Sequence, residues 1–323
     1  MTYEMPPFRP PSEAFSLLVR ATRNCPWNKC AFCAMYKGSR FEVRAVADVK
    51  QDILKAKEIE RAVVETAWRQ GRDPRDVAYF YGVPWVRRKG MTAFIGDSNS
   101  IVMRAPDLAE IVRFLYETFP NLERVTSYGR ASTVIKKPLS DLVSLKEAGL
   151  SRLHLGLETG DDFLLSWIDK GATAEQMIEA GRKVKEAGIS LSEYVILGMG
   201  GSRWWKQHAL GTARVLNAID PDFIRVRTLM VYPGSPLHDR VSRGEFELAP
   251  PELILREERL LIENLDVTSE FVSDHVSNYL SINGTLPRDK TEMLAQLDEV
   301  IARLEEAPER RDHLLQPEHL RHL

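Results

Sequence analysis

Short apolar segments of strand length alternate with helical segments along most of this chain, and this alternation limits the fold more than any other feature of the sequence. Polar or Gly-rich turns recur after these apolar segments, and helical patterns follow them. The predicted strands lie at 15–21, 92–95, 124–128, 153–157, 192–197 and 223–231. Strand-then-helix units with short connections are typical of a parallel sheet. The sequence therefore predicts an α/β fold with functional residues at the carboxyl ends of the strands.

Two regions depart from this alternation. Residues 43–70 have a long helical pattern, and residues 71–90 have the composition of a turn-rich connector or short helical insertion. Beyond residue 240 the pattern changes to two helices separated by an irregular stretch. We therefore predict an α/β region over 1–240, with an N-terminal arm and a helical insertion around 54–90. A mostly helical extension is predicted over 241–323.

Composition and charge exclude several classes of protein. The chain has 323 residues, of which 44% are hydrophobic, and this is enough apolar material for a large buried core. No run of about 18 apolar residues is present, and residues 1–11 lack the pattern of a secretory signal. We therefore expect a cytoplasmic protein with no membrane partner. The net charge is −2, so we expect no DNA partner.

The three cysteines of the chain, Cys25, Cys30 and Cys33, fall within nine residues. Three thiols cannot pair off, and such crowding is unlike a disulfide framework. Three thiolates on one loop can hold three irons of a cubane cluster and leave the fourth iron open to a substrate or to S-adenosylmethionine (SAM). Two alternatives remain, which are a zinc site completed by a distant histidine and cysteines with no ligand role.

Several motifs resemble those of the radical SAM superfamily, over roughly residues 12–240. The resemblance is closest to the branch that contains the Elongator catalytic subunit, oxygen-independent coproporphyrinogen oxidase and the tRNA methylthiotransferases. The first gap between cysteines departs from the usual three residues, because four residues, 26–29, lie between Cys25 and Cys30. The matching features are Phe32 before the third cysteine, Gly96-Asp97, the Gly-Leu-Glu-Thr-Gly segment at 156–160, Asp169-Lys170-Gly171, the strand at 192–198 and Tyr232-Pro-Gly-Ser-Pro at 232–236.

This resemblance implies a partial (β/α)6 TIM-like barrel that binds one oxygen-sensitive [4Fe–4S] cluster on Cys25, Cys30 and Cys33, with SAM on the fourth iron. By the same resemblance Glu158 contacts the SAM ribose, Lys170 its carboxylate, and Ile196 lies near its adenine. The other SAM contacts that we assign from it are Phe32, Gly96, Asp97, Ser98, Tyr128, Tyr194 and Tyr232.

Strand alternation adds candidates for substrate contacts. His154 shares a strand face with Glu158, and a contact with substrate or SAM is as compatible with this position as a structural hydrogen bond. Arg225 and Arg227 share a face of the sixth strand and can hold a carboxylate or phosphate, or pair with a carboxylate such as Glu193. His275 lies in a polar stretch that either closes over substrate or forms a surface turn.

The sequence therefore predicts an enzyme that cleaves SAM reductively and generates a 5′-deoxyadenosyl radical. A flavodoxin or ferredoxin is the expected electron donor, by resemblance. No cysteines remain for a second cluster, and we find no cobalamin-binding segment before the cysteines and no basic RNA-binding module after residue 240. We therefore expect a small-molecule substrate. The alternatives are modification of a tRNA or polypeptide, and a non-catalytic iron–sulfur or zinc protein.

Overall fold

The computed structural model of the protein describes residues 2–87 and 90–306. The last part of the predicted C-terminal extension, 307–323, lies outside the described residues. Two compact units are present among these residues: the first comprises 2–26, 38–87, 90–154 and 186–190, and the second 27–37, 155–185 and 191–306. The cysteine loop and two strands, at 150–158 and 190–197, each contribute residues to both units.

In the first unit a parallel sheet is built from strand-then-helix connections. The strands β1, β4 and β5 pair in that order, with Val19 opposite Ile95 and Ile95 opposite Ser127. A short antiparallel ribbon, β2 with β3, lies in the same unit. The strands are β1 (Leu17–Arg20), β2 (Thr22–Arg23), β3 (Glu42–Val43), β4 (Met91–Gly96), β5 (Leu122–Gly129) and the first part of β6 (Leu150–Glu158).

The helices of the first unit include the predicted long helix and the predicted insertion. The insertion is a seven-residue helix, which Asp73 begins by accepting a hydrogen bond from the backbone N–H of Arg75 at 2.8 Å, followed by a 3-10 turn at Pro84–Val86. The α-helices are α1 (Val46–Gln70), α2 (Pro74–Phe80), α3 (Ala105–Thr118), α4 (Ala131–Val134) and α5 (Leu139–Glu147).

The second unit continues with the rest of β6, followed by β7, β8, β9 and β10 in sheet order. The pairs β7–β8 and β8–β9 are parallel, whereas β9–β10 is antiparallel. The further strands are β7 (Ser190–Leu197), β8 (Phe223–Thr228), β9 (Glu270–Val272) and β10 (Asn283–Thr285). The helices are α6 (Asp162–Trp167), α7 (Ala174–Glu186), α8 (Gly201–Ile219), α9 (Pro236–Ser242), α10 (Pro251–Glu263) and α11 (Lys290–Glu306).

The predicted α/β fold with a mostly parallel sheet is confirmed, and each of the six predicted strands is present. The region after residue 240 differs from the prediction, because it supplies β9 and β10 to the sheet besides α10 and α11. These strands have three residues each, too few for an alternating pattern to be visible in the sequence. No helix among residues 2–87 and 90–306 is long and apolar enough to cross a membrane.

Candidate SAM and iron–sulfur site

In the first unit, the turn after β4 holds the start of the cysteine loop. Asp97 is buried, and its Oδ2 accepts hydrogen bonds from Arg20 Nη2 at 2.9 Å and from the backbone N–H of Asn24 at 3.0 Å. Ser98 Oγ donates to the carbonyl of Asn24 at 2.9 Å. Asn24 directly precedes Cys25, so the predicted SAM contacts Asp97 and Ser98 fix the backbone from which the first thiol projects.

His154 is fully buried in the first unit and lies against Glu13. Its Nε2 is 3.6 Å from Glu13 Oε1, and Arg124 Nη2 donates to that same oxygen at 2.9 Å. These partners and Ser16 lower the pKa of Glu13 despite its burial. His154 also contacts the ring of Tyr128, at 5.9 Å between centroids. The 3.6 Å separation from Glu13 is longer than a hydrogen bond, so both interpretations of His154 stay predictions.

In the second unit, the remainder of the cysteine loop is bound to the turn that follows α6. The backbone N–H of Ala31, next to Cys30, donates to the carbonyl of Ile168 at 2.7 Å. Trp27 Nε1 donates to the carbonyl of Asp169 at 2.7 Å, and a Cβ placed on Gly171 would lie 2.4 Å from the indole. Gly171 has a φ of +73°, a conformation that favours glycine. The four-residue gap between the first two cysteines thus contains the residue that anchors the loop.

The turn after α6 carries Lys170, and the preceding strand end carries Glu158. Asp161 begins α6 by accepting a hydrogen bond from the backbone N–H of Leu164 at 2.9 Å, which fixes the helix between them. Lys170 Nζ then donates to Glu158 Oε1 at 2.8 Å. The structure therefore brings together two predicted SAM contacts that are twelve residues apart in sequence.

Glu158 retains acceptor capacity beside this ion pair. Its Oε2 is buried and has no hydrogen-bond partner among the described residues. Its φ of +63° lies in the left-handed region, which non-glycine residues seldom adopt and which concentrates at functional sites. A Cβ on Gly156 would lie 2.2 Å from Glu158 Oε1, so the glycine of the motif leaves the room that the carboxylate occupies.

An apolar cluster lies beside these groups in the second unit. Ala31, Ile168, Ile196 and Met199 are buried together. Phe32, Trp167 and Leu229 pack against them. Two further predicted SAM contacts, Phe32 and Ile196, therefore share one apolar surface suited to the face of an adenine ring. Tyr232 is 47% exposed and donates to Met230 Sδ at 3.4 Å, outside this cluster.

Sequence reasoning missed a buried polar network behind the ends of β6 and β7. His208 Nδ1 lies 2.8 Å from Thr159 Oγ1, and its Nε2 lies 3.4 Å from Glu257 Oε1. Glu257 Oε1 accepts a hydrogen bond from the backbone N–H of Gly198 at 2.6 Å. Burial lowers the pKa of His208 to about 4 and raises that of Glu257 well above its usual value. Nothing in the sequence pattern links these helical residues to the strand ends.

Glu193 of β7 is also fully buried, and burial raises its pKa well above the usual range. In the parallel pair, Glu193 is opposite Ile224, whereas Tyr194 is opposite Arg225 and Ile196 opposite Arg227. Because opposed residues share a sheet face, Glu193 is on the opposite face from the two arginines. The considered Glu193–arginine bridge is therefore wrong. Arg225 Nη1 instead lies 4.0 Å from Asp274 Oδ1.

The three cysteines lie among the described residues and are not joined by disulfide bonds. Cys30 is buried, and Cys25 and Cys33 are partly exposed. Within residues 2–87 and 90–306, no three Cys, His, Asp or Glu side chains form a group that could hold a metal ion. The donor set nevertheless fits a cluster chemically, since cysteine thiolates are the usual ligands of iron–sulfur clusters.

Comparison with known proteins decides the family. The model of the radical SAM superfamily matches residues 19–210, which is more than half of the chain. The chain belongs to the radical SAM superfamily. Its predicted membership is thus confirmed, together with the cofactors that this superfamily uses, a [4Fe–4S] cluster and SAM. Membership identifies an enzyme superfamily and the α/β fold, but leaves the substrate undefined.

Individual radical SAM relatives differ in what they are named for. A biotin synthase of Methylobacterium radiotolerans is 28% identical over 242 residues, covering 72% of this chain and 60% of that protein. A tRNA uridine(34) acetyltransferase of Methanocaldococcus jannaschii is 26% identical over 113 residues, covering 35% of this chain and 20% of that protein. The chain therefore spans at most three fifths of the length of these two curated relatives.

A solved structure supports the same fold. The archaeal Elp3 of Methanocaldococcus infernus, with an N-terminal deletion, superposes with a TM-score of 0.52 at 13% identity. The superposition covers 79% of this chain and 61% of that one. At this identity the likeness establishes the shared architecture of the radical SAM fold.

Proposed function

We propose that this protein is a radical SAM enzyme that generates a 5′-deoxyadenosyl radical and directs it at a small molecule. One observation carries the proposal: the backbone around Cys30 is hydrogen-bonded to the turn that carries Lys170, through Ala31 and Ile168. A SAM molecule that binds both the cluster and Lys170 requires the cysteine loop and this turn to be held side by side. The cluster, when bound, supplies the electron that cleaves a carbon–sulfur bond of SAM.

The side chains of the second unit have the chemistry to bind and orient SAM. The unpartnered Oε2 of Glu158 can accept a hydrogen bond from a ribose hydroxyl, and Lys170 can attract the SAM carboxylate. Phe32 and Ile196 offer an apolar surface to adenine. Tyr194 and Tyr232 are proposed as further contacts. Exclusion of water by this apolar surface protects a radical from side reactions.

Gly96, through its backbone, and Ser98 are proposed to contact the methionine amino group of SAM. Asp97 acts mainly by holding Asn24, the residue before Cys25. Tyr128 packs edge-on against Phe94 at 4.9 Å between centroids, which fixes its ring. Cys25, Cys30 and Cys33 are the proposed cluster ligands, and a reduced flavodoxin or ferredoxin the proposed electron donor.

The test is anaerobic reconstitution followed by incubation with SAM and dithionite. We expect four irons per chain and release of 5′-deoxyadenosine and methionine, measured by chromatography and mass spectrometry. Cys30→Ala should lose both, whereas Ser39→Ala, an exposed position after the loop, should retain both. Four bound irons without SAM cleavage would instead identify a non-catalytic iron–sulfur protein, and stoichiometric zinc would identify a zinc site.

A second candidate substrate is RNA, and one surface favours it. Around α2, Arg72 stacks on Phe80 at 5.1 Å and Arg87 on Tyr79 at 4.8 Å, and both rings are more than 60% exposed. Arginines and exposed aromatic rings together are typical of surfaces on which unpaired bases stack. Salt-sensitive binding of a tRNA that Tyr79→Ala weakens would favour RNA modification over the small-molecule proposal.

A further inference from the structure

Two arginines of β8 occupy a distinctive position in the second unit. Arg225 is opposite Tyr194 in the parallel pair, and Arg227 is opposite Ile196. Residues opposed in this register share one face of the sheet. The two guanidinium groups therefore project from the face that carries proposed SAM contacts, beyond β7 in the strand order.

The segment 273–279 is hydrogen-bonded to the carboxyl end of β8. Asn278 Oδ1 accepts from the backbone N–H of Thr228 at 2.7 Å, and Asn278 Nδ2 donates to the carbonyl of Val226 at 3.0 Å. Ser277 Oγ accepts from the same Thr228 N–H at 3.1 Å. These bonds lie on both sides of Arg227 in the chain and place the segment next to the arginines.

The positive charge of this cluster is poorly compensated by protein groups. The Arg225 side chain is only 12% exposed, and its Nε is buried with no hydrogen-bond partner among the described residues. Arg225 lies 4.0 Å from Asp274, whose side chain is 54% exposed, and its guanidinium lies 5.9 Å from the centroid of the Phe223 ring. Arg227 is partly buried and forms no salt bridge with a described carboxylate. Two partly buried guanidinium groups that share one exposed carboxylate at 4.0 Å carry excess positive charge, so the site favours a bound anion.

His275 adds a neutral donor to the same cluster. Its Nδ1 accepts a hydrogen bond from the backbone N–H of Ser277 at 3.1 Å and lies 2.8 Å from Ser277 Oγ. An accepting Nδ1 in a neutral imidazole places the proton on Nε2. Burial and the charge of Arg227 lower the pKa of His275, which favours this neutral form. Nε2–H is then the group that can donate to a ligand.

We infer that Arg225, Arg227 and His275 form a subsite for the carboxylate or phosphate of an anionic small-molecule substrate. Paired guanidinium groups bind such planar or tetrahedral anions through several N–H donors. Asp274 occupies one side of Arg225 and favours ligands that carry a further polar hydrogen-bond donor. The inference rests on the proposed function only in taking the bound anion to be the substrate of the radical reaction.

The first experiment measures anion binding by the reconstituted holoenzyme, without reductant and at constant ionic strength. Inorganic phosphate and succinate are titrated by calorimetry, with succinamide as the uncharged match for succinate. We expect saturable binding of the two anions and none of succinamide. Arg227→Gln and Arg225→Gln should each weaken binding about tenfold or more, because each removes charge-assisted hydrogen bonds. The anion affinity of Arg227→Lys should lie between those of Arg227→Gln and the wild type.

The control is Arg214→Gln on α8, which removes an exposed arginine paired with Glu175 and should leave anion binding unchanged. If Arg227→Gln does not fold, Arg227→Lys and Arg225→Gln decide the result. Anion binding that is equal in these variants and the wild type, or equal for succinamide and succinate, overturns the subsite.

The second experiment separates substrate from the carboxylate of SAM. Phosphate should still bind to holoenzyme saturated with SAM, and Arg227→Gln should change SAM affinity less than twofold. If SAM displaces phosphate and Arg227→Gln weakens SAM tenfold, the arginines hold SAM and the substrate assignment is wrong. Because neither experiment requires turnover, failure of the subsite is distinct from failure to form 5′-deoxyadenosine.

Discussion

Lys170 Nζ donates a hydrogen bond to Glu158 Oε1 at 2.8 Å, and both side chains are buried at the end of β6. This pair joins two motifs of the superfamily, the Gly-Leu-Glu-Thr-Gly segment and the turn that follows α6. The Lys170 ammonium group pairs with Glu158 and is also proposed to bind SAM. Measuring iron content, SAM affinity and the free energy of unfolding on the same variants separates the structural role from the binding role.

Lys170→Ala should weaken SAM binding about tenfold or more, because it removes the proposed cation for the SAM carboxylate. It should also lower the free energy of unfolding by about 3 kcal/mol, since it leaves Glu158 without its buried partner. Iron content should remain at four per chain. Calorimetry with SAM, urea unfolding and iron analysis check these values, with the exposed Lys206→Ala as control. Loss of iron in Lys170→Ala would contradict the assigned role.

Gly156→Ala should affect the same pair without changing either charged residue. The added methyl group would lie 2.2 Å from Glu158 Oε1 and 2.9 Å from Lys170 Nζ, so the ion pair must move. We expect SAM affinity to fall, and overpacking to lower the free energy of unfolding by about 1–3 kcal/mol. Unchanged SAM affinity in a folded Gly156→Ala protein would show that the pair is not part of the SAM site.

Trp27→Ala should loosen the cysteine loop. The substitution removes the hydrogen bond to the carbonyl of Asp169 and the packing on Gly171. We expect lower iron content after reconstitution and faster bleaching of the cluster absorbance in air. Trp27→Phe keeps a ring but loses the hydrogen bond, so its iron content and bleaching rate should lie between those of Trp27→Ala and the wild type. Trp68→Ala, at a position 82% exposed on α1, is the matched control and should keep the wild-type bleaching rate.

We predict that Glu258 makes the free energy of unfolding depend on pH. Its side chain is buried on α10, and burial raises its pKa from 4.5 to about 8 despite a hydrogen bond from Ser273. Between these two values the folded protein holds a proton that the unfolded chain has lost. The contribution of Glu258 to the free energy of unfolding therefore falls as pH rises through this window.

Glu258→Gln should remove this contribution, so the variant should gain stability relative to the wild type between pH 5 and pH 8, by a few kcal/mol at most. Urea unfolding at several pH values measures the difference. The exposed Glu263→Gln on the same helix serves as control. A parallel pH dependence in wild type and Glu258→Gln would disprove the raised pKa.

The strands and the candidate cofactor residues could be predicted because they depend on local pattern. Alternation identified β6 and β7, and the resemblance to superfamily motifs suggested Glu158 and Lys170 as SAM contacts. Contacts across long sequence separations could not be predicted in the same way. Register decided that Arg225 and Arg227 share a face with Ile196 and not with Glu193, and a pairing register is not visible in one strand alone.

The C-terminal region shows the same limit. His275 is about fifty residues from Arg227 in sequence, and Asn278 fixes its segment to β8 through hydrogen bonds to backbone groups. Backbone donors and acceptors carry no side-chain signal, so the sequence suggested a polar cluster without showing what it binds. Glu257 and His208 were missed for a similar reason, since buried polar residues on amphipathic helices interrupt the apolar pattern without indicating their partners.

The indole of Trp27 fills the space that a side chain on residue 171 would need. This close fit makes the two positions mutually dependent during evolution. Among homologues with four residues between the first two cysteines, a large aromatic residue at position 27 should occur together with glycine at position 171. Homologues with the shorter gap need no aromatic residue at position 27, although the left-handed backbone at residue 171 still favours glycine. A large aromatic residue at position 27 would then mark a subgroup of the superfamily together with the cysteine spacing.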